Sequence, residues 1–562
     1  MKKGTVSAVS ILFLMIYGFV AFLMAWNGSS KFLLAFFPLL ITLVGVAFVR
    51  QSGLVMAFVG LVSTILLAVF QFGTSIEVAL GSTAYGFVNS LGISISVSAT
   101  MLLVFLMKEA GALETVSKVI KQQVVGDEMR ALYIGVGFGS FLSSLGVVTP
   151  ALFPPLLVAM GFSPMSSVAI AVLGYDPTTS FSLLSMPITL PAEASKNLID
   201  IVIAPVAMAF KVAIFLPLVS TGFAFAILWL VGGRASMRRG AVPATICGLT
   251  LAFACLGAVS LDYFTGVEYV PLRIVGVVGG LCAMLALNAY QKARPATMKK
   301  EEPSDYPPSR TILRSFSPWI ILTTLAGIVS VPQFGAWLQN LPGSLEKTVI
   351  FADQTIDLNI LSQIYTWIII AVLVSLFTLR LTMKQVRKAT SVWLRRFMGP
   401  FLAYSLYFCI AYVMANSAKT IVNGVLGPSQ SFNVLNMNVV LGSTLAAIFG
   451  AGYIFVAASL GLFGAVVGGS ETSSNVLFLK IQRTAAQDIR LTDPQFMTVY
   501  GSHAVAGGIA SAITPAKINN AVVTIDESHD TESKTMRRHL VIAILLTIAT
   551  GILTGIFIKL GI

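Results

Sequence analysis

Apolar runs of about twenty residues recur along the whole chain, each enough to cross a ~30 Å hydrocarbon core, with short polar or charged stretches between them. The pattern predicts thirteen membrane-spanning helices at 4–25, 32–49, 54–73, 83–107, 163–190, 201–232, 241–262, 274–290, 316–338, 361–379, 397–422, 496–525 and 540–560. Residues 108–130 read as an amphipathic surface helix. Residues 291–315, rich in Pro, Lys and Glu, read as a flexible linker. Two segments break the pattern. Residues 131–160 and 452–489 each hold two short apolar pieces around a polar tip: Ser143-Ser144-Leu145-Gly146-Val147-Val148-Thr149-Pro150 in the first, Gly468-Gly469-Ser470-Glu471-Thr472-Ser473-Ser474-Asn475 in the second. Lipid offers backbone no hydrogen bonds, so irregular chain at membrane depth must be buried in protein or line a cavity. Each segment is therefore expected to be a re-entrant hairpin. A second interruption follows each tip at nearly the same distance, at Met186-Pro187 and at Thr514-Pro515. Paired broken segments in two halves of a chain point to a transporter's binding site.

Composition agrees with the pattern. The 562 residues are 56% hydrophobic and 10% charged, against about 25% charged in a soluble domain. The alternation of a β-barrel is absent. The fold class expected is an all-α polytopic membrane protein. The net charge of +13 does not signal nucleic acid, because the basic residues lie between apolar spans. With a cytoplasmic N-terminus, the inner loops carry 25 of the 36 Lys and Arg residues, as the positive-inside rule requires. The two halves then run in opposite directions, an inverted-topology repeat. The organisation expected is an extra span at 1–30, a first repeat at 31–232, linking spans and a cytoplasmic linker at 233–315, and a second repeat at 316–562. Cys247, Cys255, Cys282 and Cys409 lack metal-ligand spacing and read as small core residues. No metal and no organic cofactor is expected.

The second tip carries a resemblance. Gly469-Ser470-Glu471-Thr472-Ser473-Ser474-Asn475-Val476-Leu477-Phe478, followed by Gln482-Arg483-Thr484-Ala485-Ala486-Gln487-Asp488-Ile489, resembles the lactate permeases, which read Gly-Ser-Asp-Thr-Ser-Ser-Asn-Ala-Leu-Phe and Gln-Ala-Thr-Ala-Ala-Gln-Gln-Ile. Phe138-Gly139-Ser140-Phe141-Leu142, the run from Leu156 to Pro164, Met186-Pro187-Ile188, Gly507-Gly508-Ile509 and Ile513-Thr514-Pro515 extend it over about 130–560. The resemblance implies an elevator-like transport domain, proton-coupled movement of a 2-hydroxy monocarboxylate such as lactate or glycolate across the plasma membrane, and no enzymatic activity. Two departures stand out. Ser143 occupies the place of a family Glu, in a stretch one residue shorter. Ala512 occupies the place of a family Lys, leaving Lys517, beyond Pro515, as the nearby cation.

A carboxylate entering a membrane needs donors that replace its water. Helix N-termini supply unpaired N–H groups and a positive dipole end, and hydroxyls add donors without fixed charge. The candidate substrate-binding residues are Ser143, Ser144, Thr149, Ser470, Thr472, Ser473, Ser474, Asn475, Thr514 and Lys517. The bland alternative is that the hydroxyls satisfy their own backbone and that Lys517 snorkels. The candidate ion-coupling residues are Asp176, Glu471 and His503. Asp176 lies in Gly174-Tyr175-Asp176-Pro177-Thr178-Thr179-Ser180, where Pro177 breaks a helix. An acid at mid-membrane is a functional candidate, although Asp-Pro also suits an N-cap. His503 titrates near neutral pH when unperturbed, or is a hydrogen-bonded structural residue. Lys211 and Lys419 read as snorkelling or pairing residues. H⁺ is the expected coupling ion and Na⁺ the other choice. A Na⁺-coupled carrier of another anion such as a dicarboxylate, and a transport-inactive membrane receptor, remain as alternatives. A homodimer is left open.

Overall fold

The computed structural model describes residues 30–47, 51, 53–146, 150, 153–293, 307–329, 331–341, 348–356, 359–468, 470–514, 517–518, 521–522, 525 and 529–562. The expected first span, Thr149 and most of the linker lie outside the described residues.

Nine helices among the described residues are long and apolar enough to cross a membrane. Several differ from expectation. Span four is longer and runs Ile76–Glu109, bending at Ser90 between Ile76–Asn89 and Leu91–Glu109. Its start is fixed by Ser75, whose side chain accepts from the Val78 amide. Span six is divided into Pro205–Ala213 and Leu216–Arg239. The stretch expected as an inner loop at 380–396 is the basic helix Met383–Arg396, opened by a Thr382/Gln385 capping box. Span eleven ends early. Helix Met398–Asn416 gives way to an antiparallel hairpin, Lys419–Val422 with Val425–Pro428. Its two-residue turn, Asn423-Gly424, has positive φ at both positions, as a type I′ turn requires. A second hairpin pairs Thr348–Phe351 with Gln354–Ile356. A helix at Met437–Phe449 was not expected at all. Asn436 starts it by accepting from the Asn438 and Val439 amides, while its own amide donates to the carbonyls of Ala415 and Ser417 at the end of Met398–Asn416.

The helices gather into two bundles. In one, Gly53–Gln71, Ile76–Asn89 and Met398–Asn416 pack together, while Leu91–Glu109 packs on Ile364–Thr378 and Met383–Arg396. Gly86 brings two of these backbones together; a Cβ there would lie 2.8 Å from the Phe408 carbonyl oxygen. Ser90 and Ser94 bond Ser405 across the same seam, at 2.8 and 3.1 Å, a small-residue interface of the kind that lets membrane helices approach closely.

The other bundle holds both polar tips. The first segment holds helical arms on either side of its tip. Asp127–Leu132, the π-helical turn Tyr133–Phe138 and Gly139–Ser144 form one arm, and Phe153–Ala159 forms the other. The first arm packs on Val275–Ala293. Glycines seat it against the following segment, since a Cβ at Gly139 would meet the Gly174 carbonyl oxygen at 2.4 Å. The second segment likewise holds two helical arms, Tyr453–Gly468 and Glu471–Asp488. Tyr453–Gly468 packs on Asp493–Ile509 and on His529–Leu560. Gly461 is the point of closest approach, where a Cβ would lie 1.9 Å from the His503 carbonyl oxygen. Overpacking against backbone costs about 1–3 kcal/mol or more. Gly461→Ala is therefore expected to lower the melting temperature of the solubilised protein sharply. Gly399→Ala, where a Cβ meets nothing within 4 Å, should leave it unchanged. Equal melting of the two variants would contradict this packing.

Candidate functional site

Span five is broken where the Asp-Pro pair predicted, but the break is longer than one turn. Helix Pro164–Leu173 ends at Gly174, two 3₁₀ turns follow at Thr179–Phe181 and Leu183–Ser185, and helix starts again at Met186–Leu198. Thr179, Leu183, Leu184 and Ser185 all have positive φ. Left-handed backbone at such residues is strained, and strain of this kind collects at functional sites. The stretch is buried. Ser220 holds it by donating to the Pro177 carbonyl (2.6 Å), and Ser185 donates to the Leu272 carbonyl (2.8 Å). Asp176 does not cap the second half-helix, which begins ten residues later. The N-cap alternative is corrected by this geometry: the intervening 3₁₀ turns separate the acid from the helix start.

The second tip meets this break. Ser470 is the N-cap of Glu471–Asp488 and makes no side-chain cap bond. The first-turn amides of a helix lack intrahelical acceptors, and here the first turn carries Glu471, Thr472, Ser473, Ser474 and Asn475, all buried. Ser180, in the break, donates to the Glu471 carboxylate. The Asn475 amide donates to the Pro187 carbonyl at 2.9 Å, and the Asn475 carbonyl accepts from the Tyr500 hydroxyl at 2.6 Å. Gly508 lets the broken segments touch: a Cβ there would lie 2.7 Å from the Thr179 Cβ and 3.1 Å from Glu471 Oε2.

The second break, at Thr514, closes the site from the other side. The short 3₁₀ turn Ala510–Ile513 ends Asp493–Ile509. Thr514 bonds back to the Ala510 carbonyl (3.1 Å), the self-satisfying role open to any threonine. Lys517 points at the first break: its ammonium donates to Ser511 Oγ at 2.6 Å and lies 3.9 Å from the Tyr175 ring centroid, a cation–π distance. Asp176 and Glu471 are the carboxylates that act on Lys517, and Lys517, Ser511 and Glu471 act on Asp176. Neither Asp176 oxygen has a hydrogen-bond partner of good geometry among the described residues, and the same holds for Thr178, Thr179, Thr472 and Ser473 hydroxyls and for Asn475 Oδ1. Two acids, one base and a set of buried polar groups thus converge where two broken segments cross a helix N-terminus.

Other candidates lie differently. His503 is wholly buried, with Nδ1 2.9 Å from Gln482 Nε2 and Nε2 3.3 Å from Ser474 Oγ, and it stacks on Tyr500. Both ring nitrogens are engaged, so its visible task is to orient Ser474. At the first tip, Ser143 donates to the Ser140 carbonyl (3.2 Å), and Ser144 faces Gly276, whose Cβ would meet its hydroxyl at 2.3 Å. No described hydrogen bond joins either serine to the second tip. Sequence reasoning passed over Ser180, Ser511, Tyr175 and Tyr404, the last approaching Ser470 from helix Met398–Asn416. Ser180 carried a signal, as a hydroxyl three residues beyond Pro177 in a strained break. Tyr404 carried none. Arg483 is buried. It forks onto Asp200 (2.8 and 2.7 Å) and reaches Asp493 (2.7 Å), clasping the end of Met186–Leu198 to the hairpin arm. The guanidinium holds the Asp200 carboxyl below its usual range.

Comparison with known proteins agrees with this placement in a membrane transporter. Glycolate permease GlcA of Escherichia coli K12 is 23% identical over 571 residues, covering 93% of this chain and 96% of its own length. The L-lactate permease of Salmonella typhi is 23% identical over 560 residues, covering 93% and 95%. That of Bacillus subtilis is 23% identical over 586 residues, covering 93% and 96%. The family profile described as L-lactate permease matches residues 31–561, and the chain, a multi-pass membrane protein rather than an enzyme, belongs to that family.

Proposed function

We propose that this protein is a secondary active transporter of the plasma membrane that carries a 2-hydroxy monocarboxylate, such as lactate or glycolate, together with a proton. The observation that carries the reading is the convergence of Asp176, Glu471 and Lys517 on the first turn of Glu471–Asp488, where the Thr472 and Ser473 hydroxyls and Asn475 Oδ1 have no hydrogen-bond partner among the described residues. The hydroxyls of Thr472 and Ser473 and the helix amides are donors suited to a carboxylate. Asn475 Oδ1 is an acceptor suited to the 2-hydroxyl.

Charge supports the coupling. Two acids face one base, so a monoanion entering the ionised site would leave it with excess negative charge in a medium that screens poorly. One proton on Asp176 or Glu471 returns the site to the single net negative charge it carries when ionised and empty, and symport follows if that proton travels with the substrate. Na⁺ would serve the same arithmetic, which is why the ion has to be tested. We further read the two segments with helical arms as re-entrant hairpins of an inverted repeat, with their bundle moving against the other one and the N-terminus cytoplasmic.

The test is uptake of labelled L-lactate, glycolate and succinate into proteoliposomes under imposed H⁺ or Na⁺ gradients. Lactate and glycolate are expected to accumulate with an inward H⁺ gradient and to stop when a protonophore is added. Accumulation driven only by Na⁺, or of succinate alone, would replace this reading with the Na⁺-coupled dicarboxylate carrier. Binding without any flux would favour a receptor.

A further inference from the structure

Helix Met383–Arg396 carries Lys384, Arg387, Lys388, Arg395 and Arg396. It packs along Leu91–Glu109 of its own bundle and leads into Met398–Asn416. Three contacts fix that inner face. Gln385 Nε2 donates to the Glu109 carbonyl at 2.8 Å, Lys388 pairs with the Glu109 carboxylate at 2.8 Å, and Trp393 Nε1 donates to the Ser98 carbonyl at 2.8 Å. The helix therefore starts level with the end of a span and runs back along it. Its length crosses from the water-facing end of the bundle towards lipid, and its outer face cannot roll away from that boundary.

The outer face is concave. A groove of 440 Å³ is lined by Val386, Arg387, Thr390, Ser391, Leu394 and Arg395. Arg387, Ser391 and Arg395 are four residues apart and so share one side of the helix. Arg395 does not extend outwards. Its guanidinium turns back one turn, and Nη2 donates to Ser391 Oγ at 3.2 Å, which brings its charge towards Arg387. Neither arginine pairs with a carboxylate among the described residues, and Glu109 is taken by Lys388. The lipid-ward end is apolar: Leu394 is 55% exposed and Met398, one turn on, is 46% exposed. A solvated basic face needs neither a concave wall nor exposed apolar side chains at one end of it.

We propose that this groove binds one anionic phospholipid, with its phosphate between Arg387 and Arg395 and an acyl chain along Leu394 and Met398. A guanidinium matches the geometry of phosphate oxygens, and the Thr390 and Ser391 hydroxyls add polar partners beside it. A freely soluble anion would use the cations but not the apolar end. The bound lipid anchors the bundle that does not carry the polar tips, and it is independent of which substrate the protein carries.

The test uses the full-length protein in nanodiscs doped with photoactivatable phosphatidylglycerol or photoactivatable phosphatidylcholine. Crosslinks on residues 383–398 are read by peptide mass spectrometry. Each basic residue beside an anionic headgroup strengthens binding roughly fivefold, so two should make phosphatidylglycerol label this stretch about 25-fold more than phosphatidylcholine at equal low mole fraction. Arg387→Gln with Arg395→Gln should label equally with both lipids. Arg234→Gln with Arg238→Gln removes the same charge from exposed positions on Leu216–Arg239, in the other bundle, and should keep the wild-type preference. Equal labelling by the two lipids in the wild type overturns the proposal without any variant. So does a preference that survives in the Arg387/Arg395 double variant. Labelling that inorganic phosphate abolishes would assign the groove to a free anion and overturn the choice of lipid.

Discussion

Asn475→Ala is expected to reduce uptake of lactate or glycolate about a hundredfold while the protein still inserts. A hydrogen bond to a charged group contributes about 1.5–3 kcal/mol, and about 1.4 kcal/mol is tenfold. Asn475 does two things that alanine cannot. Its amide donates to the Pro187 carbonyl and so ties the second tip to the start of Met186–Leu198. Its Oδ1 is buried and unpartnered, an acceptor aimed into the site. The wild type should therefore prefer lactate to propionate, which lacks the 2-hydroxyl, because a site built to bond a hydroxyl rejects the analogue without it. The variant should lose much of that preference along with its rate. Competition of propionate against labelled lactate, measured in both proteins at equal expression, reads the effect. An unchanged preference in Asn475→Ala would remove Oδ1 from recognition. An unchanged rate would remove the residue from the site altogether.

The tips were legible because each is written locally. Gly468 through Asn475 interrupts an apolar run with small and hydroxyl-bearing residues, and such a run can neither continue a span nor face lipid. Asp176-Pro177 announced the first break for a similar reason, since proline removes a helix donor. What could not be read is how the breaks meet. Ser180 and Glu471 are 291 positions apart, and no periodicity encodes their contact. The first tip looks like the second in sequence, yet its serines differ in surroundings: Ser143 donates to its own backbone, while the buried Ser144 hydroxyl has no hydrogen-bond partner among the described residues. Helix Met437–Phe449 escaped because its start depends on Asn436 bonding the end of a helix some twenty residues earlier. The hairpin at Lys419–Pro428 was nearer to hand. Asn423-Gly424 is a strong turn signal, hidden by the apolar residues on either side.

Substituting the two acids should separate coupling from binding. Asp176→Asn is expected to abolish proton-gradient-driven uptake and to preserve exchange of external for preloaded substrate. The amide keeps the shape and hydrogen-bonding capacity of the acid but cannot release a proton, and exchange needs no net proton movement. An ionisable group buried in a membrane segment is expensive unless it is paired or used, and neither Asp176 oxygen has a described hydrogen-bond partner. Glu471, by contrast, receives the Ser180 hydroxyl and stands at a helix N-terminus, where a carboxylate is stabilised by the dipole. Its replacement by Gln should weaken the junction between tip and break, lowering exchange as well as driven uptake. Lys517→Gln should raise the half-saturation constant about tenfold or more, since it removes the cation that both acids share among the described residues while Ser511 remains to hold the neutral side chain. Counterflow and gradient-driven uptake in the same vesicles measure all three variants. Loss of both activities in Asp176→Asn would assign that residue to binding rather than coupling. Retention of both would pass the proton to Glu471, whose Gln variant should then show the split expected of Asp176.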